Sequence, residues 1–255
     1  MIAVLGGTGM AGRPVVEMLA RAGANVCCIS RSTPEALPQG VQHRAIDLRN
    51  PDETNVALEG ASTVLDLMNS PARPGPLHLD ATQRLLEAAR QQGIEHFVGI
   101  SIVGCEELNL GYYKAKAKQA DLVRGSQVPW TLLCATQFHE FLDGVFTGAA
   151  RFGLTPSGAI PLQPVAAGEV ARELVRIAEG DAAGDQRISG PEVLELSELA
   201  TLWKTATGKR SVRLPVPGIG RTIKRIQAGA LCDQSARHPG ETFGAWLAAR
   251  NASAG

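Results

Sequence analysis

The chain has 255 residues, 44% of them hydrophobic, with 25 basic and 25 acidic side chains and a formal net charge of zero. That length supports one sizeable core and is tight for two independent domains. The neutral balance removes the electrostatic reason to expect nucleic acid or an anionic membrane as partner, which leaves a small molecule as the default ligand.

In chain order the first apolar run is IAVL, followed by an amphipathic stretch to Arg21. NVCCI, HRAI and STVLDL come next, then a helical pattern from Pro76 to Gln92, the run HFVGI, a helix from near Tyr112 to Arg124, and WTLLC. Strands separated by helix-length segments imply parallel pairing through right-handed crossovers. The expected class is α/β, a Rossmann-type doubly wound parallel sheet whose apolar runs are buried on both faces. Gly23, Gly60 and Gly93 each stand just past a helical pattern, where a left-handed cap belongs. MNSPARPGP, from Met68 to Pro76, is a Pro-rich loop after a strand's carboxyl end, a place for a lid or ligand loop.

Beyond Gln137 the rhythm changes to a helix, the segment PSGAIPLQP, the helical pattern GEVARELVRIA, a strand at QRIS, and helices around Leu196 to Thr207 and Gly240 to Ala249. One domain over residues 1–255 is expected, with 1–136 mainly holding a cofactor and a small C-terminal part, 137–255, mainly holding substrate. The five cysteines, Cys27, Cys28, Cys105, Cys134 and Cys232, are scattered without a CxxC pair. They read as reduced thiols, with no metal site. No basic leader precedes Ile2 and no apolar run reaches transmembrane length, so a cytoplasmic location away from membranes is expected.

The opening MIAVLGGTGMAG places Gly6, Gly9 and Gly12 as GxxGxxG between a strand and a helix, the context of a dinucleotide fingerprint. There one glycine makes the turn, another admits a pyrophosphate to the backbone, and the last lets helix and sheet pack. The helix N-terminus offers free N–H groups and a positive dipole end, and Thr8 and Met10 contribute backbone. At the end of the second strand, where an acidic residue would bind the ribose 2′-OH of NAD, the chain has Ser30-Arg31-Ser32. Arg31, with Ser32 beside it, suits a 2′-phosphate, so NADP(H) is favoured over NAD(H). The other reading of Arg31 is a solvated loop residue. Asp47 and Leu48 fit the adenine side, while Asp47 fits equally well as a helix cap.

GGTGMAG, Arg31, Asp47-Leu48, SIVG after HFVGI, LGYYKAK, ATQFHEF, QPVAAGEVA and SGPEVLELSELA together resemble an atypical short-chain dehydrogenase/reductase of the NmrA-like, NAD(P)-binding group. The resemblance implies a catalytic set of Ser101, Tyr112 and Lys116, with Tyr112 and Lys116 one helical turn apart. A neighbouring ammonium lowers a phenol's pKa from roughly 10, Ser101 holds the reacting oxygen, and Lys116 also reaches the ribose. Met68 and Asn69 are expected near the cofactor. Tyr113, adjacent to Tyr112, leaves open which phenol acts or whether both only pack. Tyr113, Gln137, Phe138 and His139 are expected at the substrate, Phe138 as an apolar wall and His139 as polar lining, with a surface or capping role as the plainer reading of His139.

The activity implied is NADP(H)-dependent hydride transfer to or from a small carbonyl, enone or quinone. The alternative is a non-catalytic NAD(P)-sensing regulator acting through a protein partner. Epimerase or dehydratase chemistry on a nucleotide sugar is a third reading, and a homodimer is an assembly left open. Arg221, Lys224 and Arg225 form a basic helix face read as solvated.

Overall fold

The computed structural model describes residues 1–48, 50, 53–69, 76–216, 220–236, 238 and 240–253. Most of the Pro-rich loop read from the sequence, residues 70–75, lies outside the described residues. The chain runs β1 (Ile2–Leu5), α1 (Gly12–Arg21), β2 (Val26–Ser30), β3 (Gln42–Ala45), α2 (Glu53–Leu58), β4 (Thr63–Asp66), α3 (Pro76–Gln91), β5 (His96–Ile102), α4 (Gly111–Arg124) and β6 (Trp130–Ala135). It continues with α5 (His139–Ala150), β7 (Leu154–Ser157), β8 (Pro161–Leu162), α6 (Ala167–Ala178), β9 (Gly184–Ile188), β10 (Leu194–Glu195), α7 (Leu196–Thr207), β11 (Val212–Pro215), α8 (Arg221–Gln227) and α9 (Phe243–Ser253).

Seven strands form the main sheet in the order β3-β2-β1-β4-β5-β6-β9. The first six positions are the doubly wound order, and the expected Rossmann-like α/β class is what the chain adopts. β2·β3, β1·β2, β1·β4 and β4·β5 all pair in parallel, with Ile2 beside both Val26 and Thr63. Ala3, Val4, Leu5, Val64, Leu65, Phe97 and Val98 are fully buried, as expected for strands covered on both faces. Gly23, Gly60 and Gly93 all take positive φ at the predicted caps.

Two expectations fail at the sheet's first edge. β3 is an edge strand with Gln42 and Ala45 exposed, so it is not buried on both faces. No helix joins β2 to β3 either. Pro34 and Pro38 interrupt that connection, and each removes a backbone donor that a helix would need.

The chain forms two compact units, the first comprising Met1–Ser101, Gly111–Cys134 and Val170–Gln186. The second comprises Ile102–Leu110, Ala135–Glu169 and Arg187–Gly255. The first unit therefore does not end near 136: most of α6 and the start of β9 return to it, because β9 pairs beside β6. In the second unit β7 and β11 pair in parallel, and β8 and β10 antiparallel. α7 opens on a reciprocal capping box between Glu195 and Glu198. Trp203 on α7 is fully buried against Phe146, and its indole N–H donates to Asp143 Oδ1 at 2.8 Å.

Candidate active site

Parallel pairing carries the carboxyl ends of β1, β2, β4 and β5 to one edge of the sheet, where open α/β folds bind ligands. At the end of β1 the glycines divide their work. Gly6 has φ +72°, and a Cβ there would lie 2.9 Å from the Leu67 carbonyl. A Cβ on Gly7 would lie 2.7 Å from Cys28 Sγ, and one on Gly12 would overlap Gly6 O. These three serve the turn and the strand-to-helix packing.

Gly9 is different: it is exposed, and a Cβ there would meet only Gly6 O, at 3.1 Å. The protein's interior gives little reason for glycine at that position. An approaching ligand does, since a side chain would fill the space in front of the backbone. The N-terminus of α1 behind it has Ala11 as its cap, with no side chain bonded to the first-turn N–H groups. Arg13 N–H is bonded to Gly9 O at 3.0 Å and Pro14 has no N–H, so in the first turn the Gly12 N–H and the positive end of the helix dipole are what suit an anion, and Thr8 and Met10 are exposed beside them.

Next to this turn a cleft of about 860 Å³ is lined by Thr8, Arg13, Ser32 and Leu37 among others. Ser30 Oγ donates to Ser32 O at 2.8 Å and shapes the end of β2. Arg31 is exposed there but does not line the cleft, whereas Arg13 does. Neither arginine has an ion pair among the described residues. Arg21, also in the cleft, engages Glu17 at 3.5 Å. Sequence reading passed over Arg13, although its place directly after Gly12, at the start of the helix, was a usable signal.

Asp47 stands six residues before the first residue of the helix that follows. α2 begins at Glu53, whose Oε2 accepts the Asp47 N–H at 2.7 Å. Leu48 is buried, and its carbonyl accepts from Arg84 at 2.6 Å.

At the ends of β4 and β5 a polar network surrounds α4. Tyr112, half-buried in the first turn, donates its hydroxyl proton to Asn69 Oδ1 at 2.9 Å. Tyr113 packs edge-on against it with ring centroids 5.7 Å apart. Lys116 is only 4% exposed, and its ammonium donates to Ile100 O at 2.7 Å and to Gln119 Oε1 at 2.6 Å. Gln119 Nε2 in turn donates to Asp66 Oδ2 at 3.1 Å and Thr82 Oγ1 at 3.2 Å. Asp66 Oδ1 accepts the Met68 N–H at 3.2 Å, fixing the turn that presents Asn69. Ser101, on β5 next to Ile100, is buried.

The structure thus brings Tyr112 and Asn69 together and turns the Lys116 ammonium toward strand and helix interior. Asp66, Thr82 and Gln119 were not anticipated. Gln119 sits three residues after Lys116, the spacing at which helical side chains meet.

Of the expected substrate residues, Tyr113 lies in the first unit and Gln137, Phe138 and His139 lie in the second. Gln137 is buried, donating to Leu231 O at 3.1 Å and accepting from the Gln163 N–H at 3.2 Å. His139 is fully buried, so neither polar lining nor a surface or capping role describes it. Its Nε2 bonds to Glu241 O at 2.9 Å, its ring lies against Phe243 and Trp246, and burial lowers its pKa. Phe138 is half-buried and keeps some exposed apolar surface. Arg225 pairs with Glu107 at 3.3 Å. Among the described residues no cluster of His, Cys, Asp or Glu could hold a metal, and no helix is long and apolar enough to cross a membrane.

Sequence comparison matches residues 6–179 to a family described as NAD(P)H-binding. The chain belongs to this NAD(P)H-binding family. The match starts at Gly6 and includes the glycine turn, the cleft and the α4 network. An NAD(P)H azoreductase of Xenophilus azovorans is 27% identical over 237 residues, 89% of this chain and 79% of the relative. The NADPH-dependent quinone oxidoreductase QOR2 of Escherichia coli, solved with NADPH, superposes with TM-score 0.81 at 18% identity, over 98% of this chain and 100% of that one. The triphenylmethane reductase of Citrobacter sp., solved with NADP(H), gives 0.71 at 20% identity, over 95% and 93%. At those identities the two structures speak for the fold. The resemblance to atypical short-chain dehydrogenase/reductases is borne out, and so is the oxidoreductase class. The exposed Gly9 backbone and the side-chain-free cap of α1 fit the dinucleotide that this NAD(P)H-binding protein takes.

Proposed function

We propose that this NAD(P)H-binding protein is an NADPH-preferring reductase of small carbonyl, enone or quinone compounds, with Tyr112 as its proton donor. The observation that carries the reading is the Tyr112 hydroxyl, half-buried at the sheet's ligand edge with its proton directed at an uncharged oxygen. A bound dinucleotide supplies hydride.

The chain's own residues do the rest. The backbone around Gly9 and the first turn of α1 hold the pyrophosphate, with Gly6, Thr8, Met10 and Gly12 forming the turn. Arg31, Ser32 and Arg13 receive the 2′-phosphate, and Asp47 and Leu48 stand on the adenine side. Met68 and Asn69 flank the reacting end, and Tyr113 meets the substrate. Ser101 holds the substrate oxygen. Lys116, one turn from Tyr112, stabilises the negative charge left when the phenol gives up its proton.

NADPH oxidation with a panel of quinones, enones, ketones and aldehydes tests the reading. Azo compounds and triphenylmethane dyes belong in the panel because relatives are named for them. Turnover that falls in Tyr112→Phe supports it. No turnover with any acceptor despite tight NADPH binding would leave a cofactor sensor instead.

A further inference from the structure

In a hydrogen bond to a carbonyl-type oxygen, a phenol is the donor and must be protonated. Asn69 Oδ1, 2.9 Å from the Tyr112 hydroxyl, is such an acceptor. It favours the neutral phenol over the phenolate and fixes the O–H direction. Asn69 is itself held in place, because Asp66 Oδ1 takes the N–H of Met68, the residue before it. Asp66 is 1% exposed and is anchored on its other oxygen by Gln119 and Thr82.

We infer that Asn69 is a positioning residue that keeps Tyr112 charged with its proton, so that the site is set for reduction rather than oxidation. The inference rests on the reductase reading for its catalytic consequence. Reducing a carbonyl breaks the C=O π bond, adds a hydride's two electrons at carbon and needs one proton at oxygen. Tyr112 delivers that proton, becomes phenolate, and regains a proton from water. The oxidative direction needs the phenolate at the outset, which the Asn69 acceptor opposes.

Two titratable groups accompany Tyr112 on α4: Tyr113, in ring contact, and Lys116, one turn along the helix. Asp66 stands behind Met68 with its carboxylate already bonded. Lys116 works against Asn69, favouring the phenolate. The two together let the proton be held at rest and released in the reaction.

The chain has only two tyrosines, so in a Tyr113→Phe background tyrosinate absorbance reports Tyr112 alone. In that background the Asn69→Ala variant is expected to ionise at a pH lower by roughly half to one unit, the worth of one neutral hydrogen bond. Asn69→Asp, a stronger acceptor with a negative charge, is expected to move it up. Shifts in opposite directions are not what simple disruption produces, and Asn69 is exposed, so both variants should fold. A titration unmoved in Asn69→Ala, or moved up in it, overturns the inference. The titration uses neither cofactor nor substrate, so it decides the inference even where the acceptor panel defeats the reductase reading. Where turnover is present, the alkaline limb of kcat should move down in Asn69→Ala by the same interval, and an unmoved limb also counts against it.

Discussion

Lys116 Nζ lies 2.6 Å from Gln119 Oε1, and both side chains are 4% exposed. A buried ammonium needs its acceptors, and losing this one leaves a charge held out of water less well compensated, with Ile100 O remaining. Gln119→Leu is expected to lower stability by about 1.5–3 kcal/mol, the range for hydrogen bonds to charged groups. Combining it with Lys116→Met should cost less than the sum of the single changes. Urea unfolding of the four proteins checks this, and strict additivity would refute it.

The glycines of the first turn separate folding from binding. Gly9→Val is expected to leave the circular dichroism spectrum and melting close to native while abolishing dinucleotide binding, since its Cβ would meet only Gly6 O, at 3.1 Å, a contact relieved by a shift of a few tenths of an ångström. Gly12→Val is expected to damage folding itself, because its Cβ collides with Gly6 O. Wild-type affinity in Gly9→Val would mean that position serves only the turn.

Calorimetric titration should show NADPH binding at least roughly tenfold more tightly than NADH, the yield of charge-assisted bonds worth about 1.5–3 kcal/mol. Arg13→Ala and Arg31→Ala should each narrow the gap, and the double variant should close it. Equal affinities in the native protein contradict the preference outright.

Tyr112→Phe is expected to reduce kcat by about 10²–10⁴-fold with NADPH affinity nearly unchanged, the usual effect of removing a positioned acid. Lys116→Met should lower kcat through the lost charge. Full activity toward quinones in Tyr112→Phe would point to a reductase that only positions hydride.

His139 and His96 both have pKa values lowered by burial. The folded state resists protonating them, so their contribution to stability is complete above the unfolded value near 6.5 and is lost as pH falls from there through the folded values. Each can add up to about 1.4 kcal/mol per pH unit in that window. Urea midpoints measured from pH 7.5 downward should fall less steeply in His139→Leu than in the native protein, and an identical slope would count against the assignment.

The cofactor half of the site was legible because its signals are local. A strand, a glycine triplet and a helix start are contiguous, and Tyr112 and Lys116 sit on one helix. The network behind them was not. Asp66, Thr82 and Gln119 come from β4, α3 and α4, and a polar residue in an apolar run carries no mark of which distant partner satisfies it. His139 misled for the same reason: Phe243 and Trp246, which bury it, lie a hundred residues further along the chain. The edge position of β3 was hidden too, since HRAI has strand-like residues and only the sheet order exposes it.

The return of Val170–Gln186 to the first unit affects how the protein can be made. During synthesis on the ribosome, β6 emerges with one side open, and its neighbour β9 is completed only at Ile188. Until then a buried-type strand, Trp130–Ala135, presents unpaired backbone groups to other nascent chains. A fragment cut after residue 136 would keep the whole glycine turn yet carry that open edge permanently. It should aggregate rather than serve as a portable nucleotide-binding module, and domain fusions need to run past Ile188.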